Sequence, residues 1–186
     1  MTACQRCAAV GRDCCRVLPI DNPRHRLGLT IDDVLRMGAR LGRSPCDFAA
    51  IEPIEPQLVK LIADGVPGSE RMFVHQVRIT LRLDDRGVCV LHDPKRGCPL
   101  SIMDRPRFCA LYPAWYDPAD LGLYPFALII PTRCLAVDEC GMAPEVLFQA
   151  LGIDPHVLVD IAAASNAELC RHAESNLEHI QQTVEG

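Results

Sequence analysis

Seven of the eleven cysteines in this 186-residue chain fall in two short segments, and that arrangement constrains the fold more than any other feature. The first segment begins Cys4-Gln-Arg-Cys7 and continues to the adjacent pair Cys14-Cys15. The second runs from Cys89 to Pro113 and spaces Cys89, Cys98 and Cys109 as C-x8-C-x10-C. Pro94, Gly97, Pro99, Pro106 and Pro113 interrupt it, so no long helix passes through and the thiols sit on short, stiffened turns. Thiolates are soft ligands, and four around one centre suit zinc or an iron–sulfur cluster. A C-x2-C clip lets two sulfurs reach one ion from a single turn. Side chains of adjacent residues diverge, so one of Cys14 and Cys15 is expected to bind while the other faces elsewhere. The two segments are therefore expected to close around metal. The competing reading is that several of these thiols are small core hydrophobes.

Composition narrows the classes. A net charge of -5 and a pI near 5.6 argue against a broad nucleic-acid-binding surface. The basic residues are scattered arginines with only two lysines, Lys60 and Lys95, and arginine suits fixed hydrogen-bonded roles. No apolar run approaches the length of a membrane span, and the opening MTACQRC lacks a secretory pattern, so a cytoplasmic protein is expected. In a reducing compartment an odd number of cysteines argues against a disulfide framework.

The expected fold class is α+β, mostly helical with a small antiparallel hairpin or sheet and a cysteine-rich loop core that binds metal. Residues 1–142 are read as the cysteine-cluster domain and 143–186 as a helical extension packed on it. Thr30 with Asp33 three residues later predicts a capped helix, whose apolar face is Ile31, Val34, Leu35 and Leu41 and which stops at Gly42. Ser44-Pro45 predicts a short helix near Cys46 to Ile51, and Gln57 to Ala63 another. Phe73 to Leu83 alternates as a half-buried strand, and the Asp84–Gly87 turn predicts a hairpin back through Val88 to Leu91. Phe126 to Ile130 suggests a further strand. Helices are expected over Pro144 to Leu151 and His156 to Ala164, and Ser165 with Glu168 suggests the capping box of a last helix.

Taken in order, these pieces resemble the YkgJ-type CxxCxxCC zinc- or iron-chelating domain family, a group that includes flagellin lysine-N-methylase. The opening CQRC…CC, the stretch Leu29 to Phe48 and the segment GVCVLHDPKRGCPLSIMDRPRFCALYP are similar to the family's successive motifs. The resemblance spans about residues 4 to 141. It implies eight metal-ligating cysteines: Cys4, Cys7, Cys14, Cys15, Cys89, Cys98, Cys109 and Cys134. Arg105 and Pro106 match the family's RP pair. Pro106 then fixes the turn that aims Cys109, and Arg105 tunes the centre by hydrogen bonds to a thiolate or to backbone carbonyls. A surface salt bridge is the alternative for Arg105. Of the six histidines, His92 in the central loop is the one placed to add a ligand.

Nothing beside these cysteines supplies a plain general base, which leaves structural zinc or an iron–sulfur cluster, and the adjacent thiols and scattered ligands favour the larger cluster, with zinc as the alternative. Eight thiols fill two four-ligand centres, or one centre with thiols to spare. The leading function is a metal- or cluster-binding protein, a redox or metal-handling accessory, with no nucleic-acid or membrane partner. The resemblance also raises protein-lysine methylation, although no Gly-rich strand–turn–helix segment is present to seat a nucleotide-type cofactor. A third reading is a zinc-stabilised module whose C-terminal helices bind a protein partner.

Overall fold

A computed structural model of the chain describes residues 6, 7, 9, 10, 28–65, 68–112, 114–116, 126–128, 135–141 and 144–186. The fold is α+β and mostly helical. Its first long element, α1 (Ile31–Leu41), forms as its local signals dictate. The Thr30 hydroxyl accepts from the Asp33 N–H, and the Asp33 carboxylate accepts from the Thr30 N–H, at 3.0 Å each. Gly42 ends the helix in the left-handed region at φ 61°, its N–H donating to the Gly38 carbonyl. Ile31, Val34 and Met37 are buried, whereas Leu35, expected on the same face, points to solvent.

The region after α1 departs from expectation. Pro45–Asp47 is a single 3-10 turn, and the chain then continues as strand β1 (Ala49–Pro53) rather than as helix. It pairs antiparallel with β2 (Val77–Leu81), with Ala49 opposite Leu81 and Glu52 opposite Arg78. Leu29 adds a bridge to Ile79 on the other side of β2. Enclosed on both edges, β2 buries Arg78 and Thr80 as well as Ile79, so the expected polar face is covered. Arg78 is accommodated by its cross-strand ion pair with Glu52 at 3.1 Å. The expected hairpin reduces to the tight Asp84–Gly87 turn and one bridge, Leu83 to Cys89.

Helix α2 (Pro56–Gly65) and a 3-10 turn at Ser69–Met72 separate the two strands of this sheet. Beyond them lie α3 (Arg107–Leu111) and a second two-stranded sheet of β3 (Ala114–Tyr116) and β4 (Phe126–Leu128). Four helices complete the described chain: α4 (Leu135–Cys140), α5 (Pro144–Leu151), α6 (Pro155–Ala173) and α7 (Leu177–Glu185). No break occurs at Ser165. The stretch contains no Gly or Pro, so α6 runs on for 19 residues, and the last helix is instead capped by Asn176.

Two apolar clusters form the interior. One gathers Met72, Phe73, Ala110, Leu111, Leu147, Phe148, Leu158, Ile161 and Leu169, among others. The other gathers Leu29, Val34, Met37, Phe48, Ile79, Cys89, Leu91, Leu100, Ile180 and Val184, with Cys98 packed against it. Each fully buried aliphatic or aromatic side chain contributes roughly 1.5–3 kcal/mol. No helix among the described residues is long and apolar enough to cross a membrane.

His75 and Gln76 occupy the left-handed region, at φ 54° and 58°, at the centre of a turn closed by the Val77 N–H on the Val74 carbonyl at 3.0 Å. That conformation costs a side-chain-bearing residue about 1–2 kcal/mol, more than the roughly 0.5–1 kcal/mol of extra chain entropy a glycine gives up. Gln76 is exposed and serves through its carbonyl, which accepts from Ile54 N–H at 2.9 Å. Gln76→Gly is therefore expected to raise the unfolding free energy by about 0.5 kcal/mol in a denaturant titration. A measured loss would contradict the assigned turn.

Candidate functional site

The cysteine-bearing segment is anchored at its RP turn. Pro106 holds the residue before α3 extended, at φ −48° and ψ 139°, leaving the Arg107 N–H without a helical partner. The Asp33 carboxylate takes that bond at 3.0 Å from across the fold. The Arg107 guanidinium then forks onto Glu168 of α6, Nη2 to Oε1 at 2.7 Å and Nε to both oxygens at 3.1 Å. Arg36 completes the set. It pairs with Asp33 on its own helix, with Glu168 at 2.9 Å, and with the Arg105 carbonyl at 3.3 Å.

Asp33, Arg107 and Glu168 are all buried and Arg36 half-buried, and the four formal charges cancel. Burial pushes the Asp33 carboxyl above its usual range, against the opposing pull of Arg36 and of the Thr30 and Arg107 N–H groups. His172 abuts the start of α1, where its Nδ1 accepts from the Ile31 N–H at 3.3 Å. Burial pushes this imidazole below its ordinary value, while a bond to the Met72 backbone and the Asp32 charge act the other way.

None of these five residues is conspicuous as a site in the sequence. A signal does exist on α6. Leu158, Ile161, Ala162, Ser165, Glu168, Leu169 and His172 are buried at helical spacing along it, so Ser165, Glu168 and His172 lie on an otherwise apolar stripe. Polar groups on such a stripe need partners. Glu168 finds two arginines there instead of acting in a capping box.

The cysteines themselves are held on hydrogen-bonded turns. Cys89 is buried next to the Leu83 bridge, and its carbonyl accepts from the His92 N–H at 2.9 Å. Asp93 accepts from the N–H groups of Lys95 and Arg96 at 2.7 and 2.8 Å, which draws its carboxyl below the usual range. Asp93 and Gly97 exchange both backbone bonds, and Gly97 adopts φ 77° as the loop turns back to Cys98. Arg105 Nε donates to the Leu100 carbonyl at 3.1 Å, so it braces the backbone between Cys98 and Cys109. Cys109 lies on α3, half-buried, two residues after Arg107.

Cys7 is buried in a short N-terminal turn. Its neighbour Arg6 reaches Glu139 of α4 at 2.7 Å, tying that turn to the helix that begins just after Cys134. Cys4, Cys14, Cys15 and Cys134 lie outside the described residues. The structure thus brings Cys89 and Cys98 into one apolar cluster. Among the described residues, no three His, Cys, Asp or Glu side chains converge to hold a metal ion. Cys170 is half-buried on α6 and accepts from Arg71 Nη1 at 3.3 Å. Cys46 shares a hydrogen bond with the Ser44 hydroxyl at 3.2 Å.

Beside Cys89 a cleft of about 310 Å³ opens to solvent, lined by Asp84, Arg86, Val88, Val90, His92 and Pro94 with the cysteine itself. Asp84 is held below the usual carboxylate range, first by the Val88 N–H and then by Arg86. Searches of protein-family models, of curated proteins and of solved structures find no match to this chain.

The buried charges and the buried imidazole each give an expected outcome. Arg107→Met leaves Glu168 and Asp33 with only the half-buried Arg36 as a cation, and is expected to cost about 3–5 kcal/mol in chemical denaturation. Adding Glu168→Gln should recover part of that loss, whereas strict additivity of the two changes would contradict coupling. For His172 the fold prefers the neutral ring. Its stability contribution is complete above about pH 6.5 and is lost as the pH falls towards its lower folded-state value. Melting temperatures of the wild type and His172→Gln should therefore diverge across that window, the wild type losing more on acidification, and parallel curves would contradict the assignment.

Proposed function

We propose that this protein is a member of the YkgJ-type chelating family and binds metal through its clustered thiols. An iron–sulfur cluster is favoured, with zinc as the alternative, and the role is that of a redox or metal-handling accessory. The observation that carries this reading is that Cys89 and Cys98 sit on two short, internally bonded turns against one apolar cluster. Thiols placed this way keep a defined position, and a dry surrounding strengthens their interaction with a cation.

A second observation supports it. The Arg6–Glu139 ion pair is exposed and worth little energetically, but it joins the residue before Cys7 to the helix beginning one residue after Cys134. The donor chemistry fits the group, since all eight proposed ligands are soft sulfurs. The described residues offer too few convergent donors by themselves. The centre therefore draws on Cys4, Cys14, Cys15 or Cys134 together with Cys7, Cys89, Cys98 and Cys109. Arg105 and the buried quartet around Arg107 brace the loop that carries Cys98 and Cys109.

Anaerobic purification, then elemental analysis and a visible spectrum, tests the proposal. Bound iron with broad visible absorption is the expected result, and a colourless protein holding zinc would select the alternative. Cys7→Ser and Cys109→Ser should lower metal content and stability together, because metal binding and folding are coupled. Cys170→Ser should leave the metal content unchanged. A wild-type protein containing no metal would overturn the proposal.

A further inference from the structure

His172 sits at the joint between the two apolar clusters. In the turn before it, Leu169 belongs to the first cluster and Glu168 is forked by Arg107. Just after it, Asn176 caps α7, whose Ile180 and Val184 close the second cluster, and α7 packs on α1, the Pro45–Asp47 turn and β1. The imidazole is only 1% exposed and bonds two backbones. Its Nδ1 accepts from the Ile31 N–H at 3.3 Å, one of the amides that a helix start leaves without an internal partner. Burial is the main influence on the ring and disfavours its charged form. The bond to the Met72 backbone acts the other way, which is the sense of a ring N–H donating to a carbonyl. With Nδ1 taken as the acceptor, Nε2 carries that proton. Both bonds are therefore filled by one neutral tautomer. A second proton, on Nδ1, sets an N–H against the Ile31 N–H.

The charged groups on the surrounding elements are engaged elsewhere or exposed. From α1, Asp32 favours the charged ring but pairs with Arg171 at 3.1 Å, and Asp33 and Arg36 belong to the charged quartet. From the 3-10 turn, Arg71 donates to Asn166 and Cys170, and Glu70 is exposed. Arg107 of α3 is committed to Glu168, residues 146–151 of α5 carry no charge, and Glu174 beyond the ring is exposed. A second histidine holds the same corner. His75 Nε2 donates to the Ser175 carbonyl at 3.0 Å, and that bond survives protonation because its proton is already in place. We propose that His172 is an acid-sensitive latch, whose protonation releases the Ile31 N–H and lets α7 come off the second apolar cluster while Glu168 keeps α6 anchored. The proposal is independent of the metal-binding reading. With the latch open, the exposed Arg171–Asp32 pair still ties the end of α6 to α1, but such pairs are worth little. Helix α7 has nine residues, of which Ile180 and Val184 are buried, so it opens before the clusters themselves separate. Between about pH 6.5 and the lower folded-state value of the ring, the opening equilibrium rises about tenfold per pH unit, the slope of a step that takes up one proton.

The test follows amide hydrogen exchange of the full chain from about pH 7.5 to pH 5, corrected for the intrinsic rate of each amide. Protection of the α7 amides is expected to fall with that slope below pH 6.5, while β2 keeps its protection. Protection of α7 that stays constant with pH, or a fall shared equally by β2, would overturn the latch. His172→Gln offers an acceptor and a donor at the same place and does not titrate, so its α7 protection should stay flat. The same fall in that variant would also overturn the proposal. Nitrogen NMR of the wild-type ring needs no variant. At neutral pH it should show Nε2 protonated and Nδ1 bare, and the opposite tautomer would remove the basis of the switch.

Discussion

Two buried carboxylates, one buried guanidinium and one half-buried guanidinium set between three helices are the constraint on which the rest of this structure depends. A single ion in that position would cost several kcal/mol, so Asp33, Arg36, Arg107 and Glu168 persist only as a set, in alternating sign. Asp33 does three things with one carboxylate. It caps its own helix at Thr30, receives the first N–H of α3, and pairs with Arg36. Sliding α3 along its axis would break the bond to Asp33 and the fork to Glu168. The RP turn and the helix carrying Cys109 are thereby held in register with α1 and α6.

The same segment joins the two apolar clusters. Leu100 belongs to one and Ala110 and Leu111 to the other, with the charged quartet beside the connection between them. Residues 98–111 are thus held at both ends by apolar burial and near their middle by ion pairs. Flexible thiols would lose conformational freedom on gathering around a cation. Turns closed by backbone bonds at Cys89–His92 and Asp93–Gly97, with Arg105 bracing Leu100, have met much of that cost in folding. This relation between scaffold and thiols is what supports the metal-binding proposal.

Features set by neighbouring residues were legible in the sequence. The Thr30–Asp33 box, the Gly42 stop and the 144–151 helix each depend on signals within a turn or two. Features set by distant pairing were not. Ala49 to Pro53 shows no alternation and is bracketed by prolines, so only its antiparallel match with β2 reveals it as a strand. Ser165 and Glu168 read locally as a helix start, yet the partners of Glu168 lie on α1 and α3. Of the proposed site, the RP turn and the looped character of the cysteine segment could be read from its prolines and glycines. The second role of Asp33 could not, because the group it caps lies 74 residues away.

Metal-edge X-ray absorption on the anaerobically isolated protein probes the central claim most directly, since it counts the atoms bound to the ion. A shell of sulfur neighbours at about 2.3 Å is the predicted result. An ion surrounded only by oxygen and nitrogen would contradict it, and the braced cysteine turns would then be packing alone.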